Sequence, residues 1–285
     1  MTAFRVEDYP LKNYKPSGGG RTRDAATGLR ARLSRSPWTY RLLVLAVVGG
    51  IWQAYASIAQ LLLVPKFTDT MIGVVTLAIN PDTWAAFMIS NQALVVGFAI
   101  SVLFGVLLGL GAARFRSIEG FVDPYLSILM VTPMAALIPI LMMSLGIELS
   151  SRVVLVIVFS IPVIIVNSRT GVRQVDPNLI EMATSFGAKE REIWVKILLP
   201  SALPAIMTGI RLGLGRGVTG MVIIELLMVA VGIGNLILRF QGNFSADLLY
   251  AVVILVIFEA LILVSILRFI ERKVAPWANQ TVLRD

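Results

Sequence analysis

The chain has no cysteine and no histidine among its 285 residues. The first absence removes disulfide frameworks and thiol nucleophiles, and the two together remove Cys/His zinc sites and Ser-His-Asp catalysis. Charge is scarce as well, at 15% of residues against 57% hydrophobic ones, a balance too apolar for an ordinary soluble domain. No Gly-x-x-x-x-Gly-Lys-Ser/Thr run occurs, so ATP has no phosphate loop to bind here. No carboxylate cluster outside the apolar segments offers a replacement, which leaves a membrane-embedded enzyme little chemistry.

What is present is a series of long apolar runs. A helix rising ~1.5 Å per residue needs about 20 of them to cross a hydrocarbon core of ~30 Å. Runs at 42–64, 93–113, 124–147, 152–168, 202–231 and 248–267 meet or approach that length. The fourth is short and carries Pro162, so it is expected to borrow length from its flanks. The pattern predicts an all-α integral membrane protein, a six-span helical bundle over 39–270. A basic, disordered cytoplasmic tail at 1–38 is expected before it, and a second cytoplasmic tail at 271–285 after it. The stretch PSGGGRTRD at 16–24 has no apolar period and predicts disorder. No early apolar core follows the start, so no cleavable signal is expected.

The net charge of +8 raises the question of nucleic acid, and the position of the charges answers it. With the amino terminus inside, the outside loops hold only Lys66, Arg152 and Arg239 of the 25 lysines and arginines. Arg211 and Arg216 fall within the fifth run, and the rest lie inside. Such a bias is what the positive-inside rule predicts, with both termini cytoplasmic, and membrane orientation accounts for the basic charge without nucleic acid.

One charged stretch interrupts the apolar pattern, EMATSFGAKEREIWVKILLP at 181–200, between the fourth and fifth runs. Its grammar is helix, break, helix. Asp176 and Pro177 read as an N-cap and first helical position, and Leu179, Ile180, Ala183 and Phe186 follow at roughly helical spacing. Gly187 is a natural stop, after which Ile193, Trp194 and Ile197 share one side of a second helix; Pro200 and Pro204 open the next span.

These residues resemble the loop signature of the inner-membrane permease subunits of binding-protein-dependent ABC importers, in the branch that handles nitrate, taurine, aliphatic sulfonates and similar compounds. The signature is Glu-Ala-Ala, three residues, Gly, nine residues, Ile-x-Leu-Pro. Here it reads Glu181, Met182, Ala183, Gly187, Ile197, Leu199 and Pro200, with Met182 in place of a small residue. TPMAALIPILMMSLGI (132–147), GVRQVDPNLIE (171–181), LPSALPAIMTGIRLGLGR (199–216), Glu225-Leu226 and GIGNLI (232–237) add to the likeness in order and spacing. The resemblance spans about 92–277; the basic tail before Trp38 is not part of it.

The resemblance implies a cytoplasmic coupling helix that docks on a separate ATP-binding subunit. Glu181, Ala183, Phe186, Gly187, Ala188, Leu199 and Pro200 are its candidate residues. Ala183 and Gly187 would permit close approach, Phe186 and Ile180 would be apolar anchors, and Glu181 would pair with a basic group. It further implies an external substrate-binding protein, a second permease copy, a bacterial cytoplasmic membrane, no cofactor in this chain, and ATP and Mg held by the partner ATPase. A plainer alternative is an ordinary surface-lying loop helix.

Glu225 and Glu259 are carboxylates inside apolar runs, costly unless they face protein, water or a partner. Glu225 fits a structural or gating role. A structural pair with Arg211 or Arg216 on the same run is the plainer alternative, awkward because nine residues, about two and a half turns, separate Glu225 from Arg216. Glu259 departs from the family pattern, where a small residue is more usual. Candidate pathway residues are Met130, Thr132, Met134, Ser160, Asn167, Thr219 and Glu225. Gly209, Gly213 and Gly217, and likewise Gly105 and Gly109, recur every four residues and predict close helix packing, with sliding during gating as the alternative. The competing function is a self-sufficient secondary transporter or channel using Glu225 and Glu259 as ion or proton sites.

Overall fold

The computed structural model describes residues 37–59, 61, 63–227 and 231–279, all helices, turns and short connections with no strand among them. By packing the chain falls into two units, Met1–Trp52 and Gln53–Asp285. The first long helix, α1, is Pro37–Ala59. It begins two residues before the expected bundle boundary and stops five short of the expected end of the first run. The remaining expectations for the basic tail, including disorder at 16–24, lie outside the described residues.

Beyond α1 the helices are α2 (Phe67–Ala78), α3 (Pro81–Arg114), α4 (Arg116–Val131), α5 (Ile138–Leu145), α6 (Leu149–Arg173), α7 (Pro177–Ser185), α8 (Glu190–Ile193), α9 (Leu199–Leu227), α10 (Gly232–Gly242) and α11 (Ala246–Val274). Five stretches are long and apolar enough to cross a membrane: Thr39–Ala59, Pro81–Arg114, Leu149–Arg173, Glu190–Leu227 and Ala246–Val274. A bent pair makes a sixth if counted as one span.

That bent pair corrects the third run. Instead of one span over 124–147, α4 and the helical stretch Met134–Leu145 meet at 101°. The cause is local: Pro133 cannot donate a helical hydrogen bond, and Thr132 before it is pushed to extended backbone at φ −66°, ψ 131°. Pro124, the expected start, lies inside α4. The fourth run did need its flanks, since α6 is a 25-residue helix with Pro162 inside it. α3 begins twelve residues ahead of the second run because Asn80 caps it, accepting from the Asp82 N–H at 2.8 Å with Pro81 in the first turn. Of the fifth run, expected to end at Val231, α9 is helical to Leu227, and Val231 itself is extended. α11 continues to Val274, so the carboxy-terminal tail starts later than 271.

Small residues set the packing. α6 lies against both α3 and α9. A methyl on Gly105 would meet Ile164 Cγ2 at 2.8 Å, and one on Gly213 would meet Ile164 Cγ1 at 2.7 Å. Gly109 faces Ser168, Gly209 faces Asn167, and Gly217 faces Ser160, all as tightly. Both glycine stripes are therefore close-packing faces toward one helix. The main core joins Leu94, Val156, Met221, Ile233 and Val252 from α3, α6, α9, α10 and α11.

Candidate functional site

The loop after α6 is built from its capping residues. The Asp176 side chain accepts from the Asn178 N–H at 2.9 Å and starts α7. Gly187 stops it with φ +77°, a left-handed conformation that a side chain would strain, while the Ala188 N–H reaches back to the Ala183 carbonyl at 3.0 Å. Lys189 N–H then bonds the Glu192 carboxylate at 3.0 Å and starts α8. Trp194–Leu198 is a π turn, with the Leu199 N–H bonded five residues back to Trp194. Pro200 explains it: lacking an N–H and crowding the preceding turn, it favours a wider ring there. The second loop helix thus runs without a break into α9.

The two faces of this loop differ. Ile180, Ile193, Trp194 and Ile197 pack against the chain's own cluster of Val172, Val175, Leu198, Ala202 and Ile206. Leu179, Met182 and Phe186 are exposed, Phe186 at 87%. Ile180 is therefore not an outward anchor: it seats the loop on the bundle. Met182, which stands where the family has a small residue, extends an apolar stripe with Leu179 and Phe186 at i, i+3 and i+7. Ala183 and Ala188 are half-buried, Gly187 is open, and Leu199 and Pro200 sit half-buried at the start of α9. The Glu181 carboxylate forms no ion pair among the described residues. An Arg114–Glu190 ion pair ties α8 to the end of α3.

The break at Thr132–Pro133 opens a cavity of about 420 Å³ between α4, α6 and α9. Met130, Thr132, Met134 and Thr219 line it together with Phe159, Val163 and Arg216. Three named pathway candidates are elsewhere. Ser160 is fully buried against Gly217. Asn167 donates to the Val163 carbonyl at 2.8 Å and packs on Gly209. Glu225 is fully buried at the head of α9.

Glu225 has neither expected arginine as its partner. Arg211 pairs with Glu271 of α11 at 2.6 Å, and Arg216 lines the cavity. The carboxylate instead accepts from the Ser90 hydroxyl of α3 at 2.7 Å and from the Gly234 N–H at 3.1 Å. Arg152 Nη1 lies 3.7 Å away. Arg152, expected in an outside loop, is the fourth residue of α6 and also donates to the Ile89 carbonyl at 3.2 Å. Glu225 thus joins α3, α6, α9 and α10. Glu259 accepts from the Asn91 amide of α3. The cavity role of Arg216 was missed in the sequence, although a charge inside an apolar run was the signal that could have found it.

A family profile described as "Binding-protein-dependent transport system inner membrane component" matches residues 101–276. The Bacillus subtilis (strain 168) protein SsuC, named for aliphatic sulfonates transport as a permease, is 27% identical over 86% of this chain and 90% of its own length. The taurine transport system permease protein TauC of Escherichia coli (strain K12) is 26% identical over 85% and 90%. Among solved structures, a chain of the inward-facing MetNI methionine ABC transporter is 22% identical at a TM-score of 0.49, covering 68% of this chain and 93% of that one.

Proposed function

The chain belongs to the family of binding-protein-dependent transport system inner membrane components, and from that membership we propose that it is the permease subunit of an ATP-driven ABC importer for a small anionic solute of the sulfonate, taurine or nitrate kind. In this reading an external binding protein delivers the solute. Two copies of the chain form the pathway in a bacterial cytoplasmic membrane with both termini inside, and separate cytoplasmic subunits bind ATP and Mg and hydrolyse the nucleotide. The permease itself catalyses nothing.

The observation that carries the reading is the division of the 177–198 loop into a seated face and an exposed one. Leu179, Met182 and Phe186 present apolar surface on a helix whose other side is already satisfied. Exposed apolar stripes of this kind mark a binding surface. A clamp closing on α7 would act on α9 through Ile180, which packs on the cluster that holds Leu198, Ala202 and Ile206. α9 in turn forms one wall of the cavity. Closure outside and opening inside would then be two states of one helix assembly.

The test is co-purification of the tagged chain with candidate ATP-binding subunits, followed by uptake and ATP hydrolysis in proteoliposomes with and without loaded binding protein. ATP-dependent uptake stimulated by the binding protein supports the importer. Uptake by the chain alone, driven by an ion gradient and abolished by substitutions at Glu225 and Glu259, would replace it with a secondary transporter.

A further inference from the structure

We infer that Arg216 is the anion-binding residue of the cavity at the Thr132–Pro133 break, and that the cavity takes small monovalent oxyanions bearing an apolar body. This rests on the importer reading for its role in transport but not for the binding itself.

Five arginines lie on α6 and α9, two of the three helices that wall the cavity, and four are spoken for. Arg152 faces Glu225, Arg169 faces Asp123 and Glu119, Arg173 pairs with Glu119 at 2.7 Å, and Arg211 pairs with Glu271 at 2.6 Å. Arg216 has no carboxylate within ion-pair distance among the described residues and is exposed. It sits well inside α9, seventeen residues past Leu199, or about 25 Å along the axis. A cation at such a depth cannot face lipid cheaply, so it must meet water or an anion. The cavity provides the place, with Arg216 its only charged lining residue among the described residues.

The rest of the lining sets the ligand. Thr132 and Thr219 line the same cavity, but their hydroxyl hydrogens are committed to the Ile128 carbonyl at 2.7 Å and the Gly215 carbonyl at 3.0 Å. The guanidinium is therefore the principal side-chain donor, a planar fork suited to two oxygens of one oxyanion. Met130, Met134, Phe159 and Val163 surround it with apolar surface. One positive charge matches one negative charge, and a dianion brought into this cavity would keep an uncompensated charge. A sulfonate with a short alkyl chain fits both halves. A phosphate-bearing lipid headgroup offers related oxygens, and the experiment separates the two.

Ethanesulfonate, sulfate and choline are titrated by calorimetry against the purified full chain in maltoside micelles, which contain no phosphate. Ethanesulfonate is expected to bind, sulfate to bind at least tenfold more weakly, and choline not at all. Arg216→Gln should weaken ethanesulfonate at least tenfold, and Arg216→Lys should retain part of the affinity with an unchanged unfolding midpoint. Equal binding by wild type and Arg216→Gln, no binding by wild type, or equal affinity for sulfate overturns the proposal. Doping the micelles with phosphatidylglycerol should leave the titration unchanged; competitive loss would assign the site to a lipid and overturn the solute role. The complete transporter is then assayed for uptake. ATP-driven uptake that ignores Arg216 sinks this site while sparing the importer reading, whereas Arg216-dependent binding without any ATP-driven uptake leaves the site and sinks the importer.

Discussion

The Ser90 hydroxyl of α3 donates to the Glu225 carboxylate of α9 at 2.7 Å and accepts from the Ile233 N–H of α10 at 2.9 Å. One small side chain therefore sits between three helices. Ser90→Ala leaves a buried acceptor and a buried donor without their partner, which should cost about 1–3 kcal/mol. Glu225→Ala also strips Arg152 of its counter-charge and should cost more, about 3–5 kcal/mol. Thermal unfolding in detergent measures both, and the double variant should fall short of the sum because the residues share one network.

Phe186 is exposed and a Cβ built on Gly187 would meet no atom within 4 Å, so a change at either creates no clash with the rest of the chain. Phe186→Ala removes an anchor of the proposed docking surface and should lower binding-protein-stimulated ATP hydrolysis about tenfold or more. Gly187→Val forces a branched side chain onto a φ of +77° and should misplace the end of α7, with a similar loss of coupling. Unchanged stimulation in both variants would remove the loop from the coupling path.

Ile180 and Met182 are two residues apart and should behave oppositely. Ile180→Ala withdraws a side chain packed on the Val172–Ile206 cluster and should lower stability by about 1–3 kcal/mol. Met182→Ala should leave the unfolding midpoint unchanged and weaken co-purification with the ATP-binding subunit instead. A reversal of the two effects would mean the helix faces the other way.

Gly213 and Gly215 make a control pair on one helix. A methyl at Gly213 meets Ile164 Cγ1 at 2.7 Å, so Gly213→Ala must push α6 and α9 apart and should cost about 1–3 kcal/mol. A methyl at Gly215 would meet no atom of another helix within 4 Å, and Gly215→Ala should stabilise the helix by up to about 1 kcal/mol. Unfolding midpoints of the two single variants decide it.

The apolar runs were legible because lipid demands length and little else, and the loop was legible through Asp176, Gly187 and Pro200, whose roles are local. The family resemblance read from that loop is borne out by the profile match. α2 was missed because its twelve residues are too few to read as a span and Thr68, Asp69 and Thr70 interrupt its apolar start. α10 was missed because Gly232 and Gly234 look like turn residues. Here Gly232 takes a φ of +57° and Gly234 fits tightly against the Glu225 backbone. The partners of Glu225 come from α3 and α6, far along the chain, where spacing carries no information. Ile180 and Met182 could not be told apart by hydrophobicity, since what separates them is which side of α7 the bundle already occupies.

Glu190–Leu227 forms one 38-residue helical unit with the exposed loop at its lower end, Arg216 partway up and the Ser90-bound Glu225 near the top. It has the anatomy of a lever pinned at one end. From Glu225 to Glu190 the arm is about 50 Å, so pivoting by about 10° at the pin would sweep the loop end through roughly 9 Å and carry the guanidinium only about a quarter as far. A coarse stroke at the loop end would thus be geared down to a fine displacement at the cavity.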